Sequence, residues 1–167
     1  MKIQVGGLSE GIHEYDLLVC PADLALGEEF RSDIRVHATV AKSGRQMFLD
    51  ARISASGVFV CDRCLADFTL PLNPSYLMYY ASEGEDMARI DPSEVQVVQP
   101  NLTVIDLSED VRQTLMVSVP LKLLCRTDCS GLCPRCGKNL NMESCSCAAD
   151  MSDSRWDALQ SLRDKFS

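Results

Sequence analysis

From Ile34 onward apolar and polar positions alternate along the chain. Ile34, Val36, Ala38 and Val40 fall on one side of an extended segment, because successive side chains of a strand point to opposite faces. Ser43-Gly44 marks a turn, and Met47, Leu49, Ala51 and Ile53 resume the alternation on a second strand. Val58-Phe59-Val60 then leads into Cys61. Phe68, Leu70 and Leu72, followed by Tyr76, Met78 and Tyr80, predict further strands, broken at Pro71 and Pro74. Val95–Val98 reads as a short strand, and an opening strand covers Lys2–Val5 in an otherwise mixed stretch up to residue 30. Together these segments predict an antiparallel β region.

The period changes near Asp106. Leu107, Val111, Leu115 and Val119 recur at helical spacing, and Pro120 ends the helix. Asp106 and Glu109 have the spacing of a capping box, with Asp in place of Ser or Thr. A last helix from about Asp153 places Trp156, Leu159, Leu162 and Phe166 on one face, which suits docking on the body. Residues 82–94 are acidic and poor in apolar side chains, so they predict an exposed loop in which Glu83, Glu85 and Asp86 are solvated charge. The expected fold class is α+β: an antiparallel β-rich body with one or two helices and a C-terminal cysteine-rich zinc module. The expected segments are a body over 1–124 with a helix near 106–119, a zinc-binding module over 125–150, and a C-terminal helix over 151–167.

Composition narrows the function. The chain has 167 residues, room for one ordinary domain and a small satellite. No run approaches the ~18 apolar residues of a membrane span, and the N-terminus has no apolar core of a secretory signal, so a cytoplasmic protein is expected. A net charge of −8 repels nucleic-acid phosphate at long range and favours basic protein partners, unless positive charge is concentrated locally.

Nine cysteines are many for a reducing compartment, where metal binding or thiol chemistry is the default use. Cys20 stands alone and reads as a packing residue. Cys61-Asp62-Arg63-Cys64 and Cys133-Pro134-Arg135-Cys136 are two Cys-x-Arg-Cys knuckles, the second followed by Gly137. Cys125 and Cys129 are four apart, and Cys145 and Cys147 are two apart, a spacing at which both side chains of an extended chain point the same way. Zinc takes four such ligands in a tetrahedron, about 2.3 Å from each sulfur. Eight cysteines thus make two sites. Grouping by neighbourhood joins Cys133, Cys136, Cys145 and Cys147, and separately Cys61, Cys64, Cys125 and Cys129. The rival grouping joins the two knuckles, as in a zinc ribbon. Four thiolates leave a metal closed, and His13 and His37 are far from the cysteines in sequence, so the zinc is expected to be structural and the protein no enzyme.

Other motifs carry less. Gly7-Leu8-Ser9-Glu10-Gly11 matches a nucleophile elbow but lacks a following helix. A thiol-redox pair would be expected beside a βαβ unit, which the pattern does not show. Lys122, Arg126, Arg135 and Lys138 surround the cysteine module, with Arg63 in the other knuckle. These five are the candidate RNA contacts; otherwise they offset the negative charge of zinc-thiolate sites.

Cys61-Asp62-Arg63-Cys64-Leu65, the helix from Leu107 to Pro120, the linked run from Cys129 to Asn141 (CSGLCPRCGKNLN), and Asp153-Ser154-Arg155-Trp156 with Leu159 and Leu162 resemble the bacterial YceD family, the large ribosomal RNA subunit accumulation proteins. The resemblance runs from about residue 34 to the end; Ser154 stands where the family usually has Pro. It implies a non-enzymatic factor for large-subunit ribosomal RNA accumulation and ribosome biogenesis. Its partners would be pre-ribosomal large-subunit RNA, a basic ribosomal protein, or both, with no membrane and no small-molecule substrate. A zinc-ribbon interaction module in transcription is the alternative, and a thiol-redox protein a further one.

Overall fold

The computed structural model describes residues 1–81, 94–99 and 101–147. The acidic stretch 82–93 and the expected helix carrying Trp156 lie outside the described residues. The chain divides into two units: Met1–Asp62 with Ala66–Thr127, and Arg63–Leu65 with Asp128–Ser167. The predicted α+β class is found: among the described residues there is a strand-rich body, one α-helix, and a cysteine-rich stretch that follows it.

The first unit is built on a six-stranded sheet. Its strands are β2 (Gly11–Val19), β3 (Ile34–Ser43), β4 (Gln46–Val60), β5 (Asp67–Leu72), β6 (Ser75–Ala81) and β7 (Val95–Val97). The order is β2-β3-β4-β6-β7, with β5 paired to the far end of β4. A separate pair joins β1 (Lys2–Gln4) to β8 (Val104–Asp106). Register follows the sequence alternation. Val36 faces Ile53, Ala38 faces Ala51 and Val40 faces Leu49, all buried on one side. Met78 lies beside Leu49 and Tyr80 beside Met47 on that same side. Helix α1 (Ser108–Ser118) adds Val111 and Leu115 to this core, both with no exposed surface.

The other sheet face is wetter. It carries the exposed Ile12, Leu18, Phe48 and Leu77, with a hydrogen bond between Asp16 and His37 at 2.8 Å and an ion pair between Asp50 and Arg52 at 3.2 Å. His13 bonds the Ser9 carbonyl, so both histidines are strand residues away from the cysteines. Gly7–Gly11 leads into β2, not into a helix, so no nucleophile elbow forms.

Four expectations need correction. The mixed stretch before residue 30 contains β2, a nine-residue edge strand whose outward Ile12 and Leu18 obscure its alternation. Met47–Ile53 and Val58–Val60 are one strand, because the odd positions keep to the core side through a half-buried Ala55 to the buried Gly57 and Phe59. Strand β5 runs through Pro71; it pairs with β4 alone, and an edge strand tolerates a missing N–H. Strand β7 lies parallel to β6, so the sheet is not wholly antiparallel.

The helix start also differs from a capping box. Asp106 belongs to β8, and its carboxylate accepts the Ser108 amide at 3.0 Å and the chain's terminal ammonium at 3.3 Å. The Ser108 contacts lead in holding the Asp106 carboxyl down to about 2. Glu109 turns away and accepts from Arg112 and Gln113 instead. At the other end, Val119 is extended, as the residue before Pro120 must be.

No described helix is long and apolar enough to cross a membrane. The assignment of faces has a direct test. Leu49→Ala should lower stability by about 2–5 kcal/mol in urea unfolding, because the site is closed on all sides. Phe48→Ala, one residue away on the wetter face, should cost less than about 1 kcal/mol.

Candidate metal centres

Each knuckle is a tight turn with the same backbone bond. The Cys61 amide donates to the Ala66 carbonyl at 2.9 Å, and the Cys133 amide donates to the Lys138 carbonyl at 2.8 Å. The residue after the second cysteine is left-handed in both: Leu65 at φ 57° and Gly137 at φ 73°. Glycine adopts that conformation freely, whereas Leu65 is held there at a cost of order 1 kcal/mol. This turn aims both sulfurs of a knuckle to one side.

The two residues inside the first knuckle recruit its partner cysteines. Asp62 takes the Leu123 amide on its carboxylate at 2.7 Å and gives its own amide to the Leu123 carbonyl at 2.8 Å. Leu123 is two residues from Cys125. Arg63 donates from Nη1 to the Cys129 carbonyl at 2.8 Å, and its own carbonyl accepts the Leu132 amide at 3.1 Å. Gly131 is required here: at φ 74° it passes so close to the Arg63 carbonyl that a Cβ would sit 3.0 Å from that oxygen.

The sulfurs of Cys61, Cys64, Cys125 and Cys129 lie within 4.8 Å of one another, and so do those of Cys133, Cys136, Cys145 and Cys147. This is the grouping by neighbourhood; the sulfurs of the two knuckles fall in different groups. The first group is the more enclosed, with Cys61, Cys64 and Cys129 at 0, 5 and 2% exposure, while Cys136 of the second is exposed. Cys20 is exposed, not packed inside as expected, and belongs to neither group.

Four sulfurs around one zinc ion would be separated by about 3.8 Å, the edge of a tetrahedron with 2.3 Å bonds. The Cys136–Cys145 and Cys133–Cys145 sulfurs are 3.4 Å apart, so a few tenths of an ångström of relaxation admits an ion. Both groups can therefore hold a metal.

The thiols of the second group compete for charge. Amides of Cys136 and Arg135 point at the Cys133 sulfur and, with the Cys145 thiol, bring it down to about 6. The Cys147 amide favours a Cys145 thiolate, but contacts to Cys133 and Cys136 outweigh it and leave that thiol raised. Cys147 is pushed up to about 12 by the neighbouring sulfurs of Cys145 and Cys136. Crowded thiols resist multiple ionisation because the anions repel; a bound dication removes that penalty.

A family profile described as large ribosomal RNA subunit accumulation protein YceD matches residues 49–163, a span that contains all eight clustered cysteines. The chain belongs to the YceD family. A similar protein is the large ribosomal RNA subunit accumulation protein YCED homolog 1, chloroplastic, of Arabidopsis thaliana, 29% identical over 89 residues, or 50% of this chain and 28% of that protein. Another is an uncharacterized protein of Mycobacterium leprae, 24% identical over 119 residues, or 69% of this chain and 52% of that one. The YceD chain thus spans about half or less of the length of these relatives. No solved structure matches it.

The basic residues flanking the cysteines are partly engaged within the chain. Arg63 holds the Cys129 carbonyl, and Lys138 pairs with Glu143 at 3.0 Å. Arg126 and Arg135 also have interactions of their own, while Lys122 is exposed. Sequence reasoning missed Asp62, whose partner is 61 residues away, and Asn141, which donates to the Cys129 sulfur at 3.3 Å. Asp62 has only its place beside Cys61 as a local signal, and Asn141 has no adjacent cysteine at all.

The raised thiols predict a steep pH dependence. Cys145 and Cys147 are protonated near neutrality, so a metal entering the second group displaces at least two protons. Its apparent zinc affinity should fall at least about 100-fold from pH 7.5 to 6.5 in competition with a chromophoric chelator. A pH-independent affinity would exclude coordination by these thiols.

Proposed function

We propose that this protein is a non-enzymatic, zinc-stabilised factor supporting large-subunit ribosomal RNA accumulation and ribosome biogenesis in the cytoplasm. The observation that carries this is the YceD match across residues 49–163, which takes in both cysteine groups. Two zinc ions, one on Cys61, Cys64, Cys125 and Cys129 and one on Cys133, Cys136, Cys145 and Cys147, are structural in this reading. Zinc suits an all-sulfur tetrahedral donor set, and four thiolates leave no position for water or substrate. The ion supplies charge neutralisation and a crosslink, and the chain's own surface does the recognition.

The partner is pre-ribosomal large-subunit RNA, a basic ribosomal protein, or both. An overall charge of −8 favours the basic protein. Lys122, Arg126, Arg135 and Lys138, all exposed, give the RNA a local foothold against that background. Arg63 contributes less to RNA in this view, since its guanidinium is spent on the Cys129 carbonyl.

Gradient sedimentation separates this reading from its alternatives. The protein should travel with large-subunit precursors in mild salt, and its depletion should lower large-subunit relative to small-subunit ribosomal RNA. Recovery with RNA polymerase would favour the transcription module. Recovery only in the free fraction, with an unchanged RNA ratio, would count against the assignment.

A further inference from the structure

We propose that Asn141 is a positioning residue for the first cysteine group: its side-chain amide donates to the Cys129 thiolate and tunes that group's hold on metal. The inference rests on the reading of the cysteines as metal ligands. Asn141 lies between Cys136 and Cys145, in the loop that closes the second group, yet its nitrogen reaches a sulfur of the first.

The orientation of this amide is fixed by partners that have no choice of role. The Ser130 backbone N–H, which can only donate, lies 2.7 Å from Asn141 Oδ1. The Asn141 backbone N–H, also only a donor, lies 3.0 Å from Asn139 Oδ1. Asn139 Oδ1 is therefore an acceptor, and Asn141 Nδ2 donates to it at 2.8 Å. That leaves the second N–H of the same nitrogen for Cys129 Sγ at 3.3 Å. The loop is braced by the Leu140 amide on the Gly131 carbonyl at 2.9 Å and by an antiparallel bridge between Leu132 and Asn139.

The chemistry follows from charge. Cys129 is 2% exposed, so water does little to solvate its sulfur. Four thiolates on one dication carry a net negative charge, and N–H donors to the sulfurs spread it. A neutral amide donor to an anionic sulfur is a charge-assisted bond. Removing such an outer contact typically costs 10–100-fold in metal affinity.

The test uses the full chain and cadmium-113 as probe, because each tetrathiolate site gives its own resonance. Two resonances are expected, the first-group one identified by its loss in Cys129→Ser. Asn141→Ala should shift that resonance and weaken the first site about 10–100-fold against a competing chelator, leaving the second resonance in place. Asn141→Asp keeps an acceptor for the Ser130 amide but loses the donor and adds a negative charge, so it should weaken the site further than alanine does. Asn139→Ala disturbs the loop but spares the bond to sulfur, and should leave the first resonance near its native position. If both Asn141 variants match the native chain, or if Asn139→Ala matches Asn141→Asp, Asn141 is only a loop brace and the inference is overturned. A native chain that takes up no cadmium overturns the metal reading as well, whereas two native resonances unmoved by the variants overturn this inference alone.

Discussion

Strand β4 is the constraint on which the rest of the first unit depends. Over fifteen residues its odd positions stay on the buried side, from Met47 to Phe59. Side-chain direction has a period of two, so a slip of one residue would turn Leu49, Ala51 and Ile53 to water and bury Phe48, Asp50 and Arg52 in their place. Three neighbours read this register: β3 along the first half, β6 beside it, and β5 along the second half. The strand ends at Val60, one residue before the first knuckle. The phase of the core therefore also sets where Cys61 emerges.

At that end, the sheet's apolar order gives way to polar clamps. Asp62 grips Leu123 through two hydrogen bonds, and Arg63 grips the Cys129 carbonyl. A charged side chain donating or accepting at a backbone group makes a stronger bond than a neutral pair does. The two residues between the cysteines thus fix the backbone of the partner pair, and sulfurs that would repel as anions are brought within one ion's reach. The second group assembles more locally, within fifteen residues of chain from Cys133 to Cys147, and is correspondingly less enclosed.

The proposed RNA contacts are residues that would also offset negative charge at the cysteines. Lysines and arginines near thiolates offset their charge, and they are also the natural contacts for phosphate. Arg63 is drawn to the Cys129 carbonyl, and Lys138 pairs with Glu143 at the surface. An acidic protein with a few basic residues on its cysteine-rich stretch suits a specific partner better than general affinity for nucleic acid.

Much of this was legible from residues alone, wherever the signal was local. Alternation over Ile34–Val40 and Met47–Ile53 is a property of neighbouring positions, and so is the helical spacing of Leu107, Val111 and Leu115. The Cys-x-x-Cys turns, with Gly137 after the second, announce their geometry in five residues. Strand β2 was hidden because an edge strand buries only part of one face, and the parallel pairing of β7 because direction leaves no mark on composition. Which cysteines share a site depended on bonds spanning 61 and 66 residues, from Asp62 to Leu123 and from Arg63 to Cys129. Asn141 belongs with them: nothing beside it in sequence announces a bond to Cys129. The chain by itself determined periods, turns and the supply of ligands, because these follow from adjacent residues. Only the tertiary structure decided pairing and outer-sphere contacts, because these exist once distant backbone groups have been brought within hydrogen-bond reach.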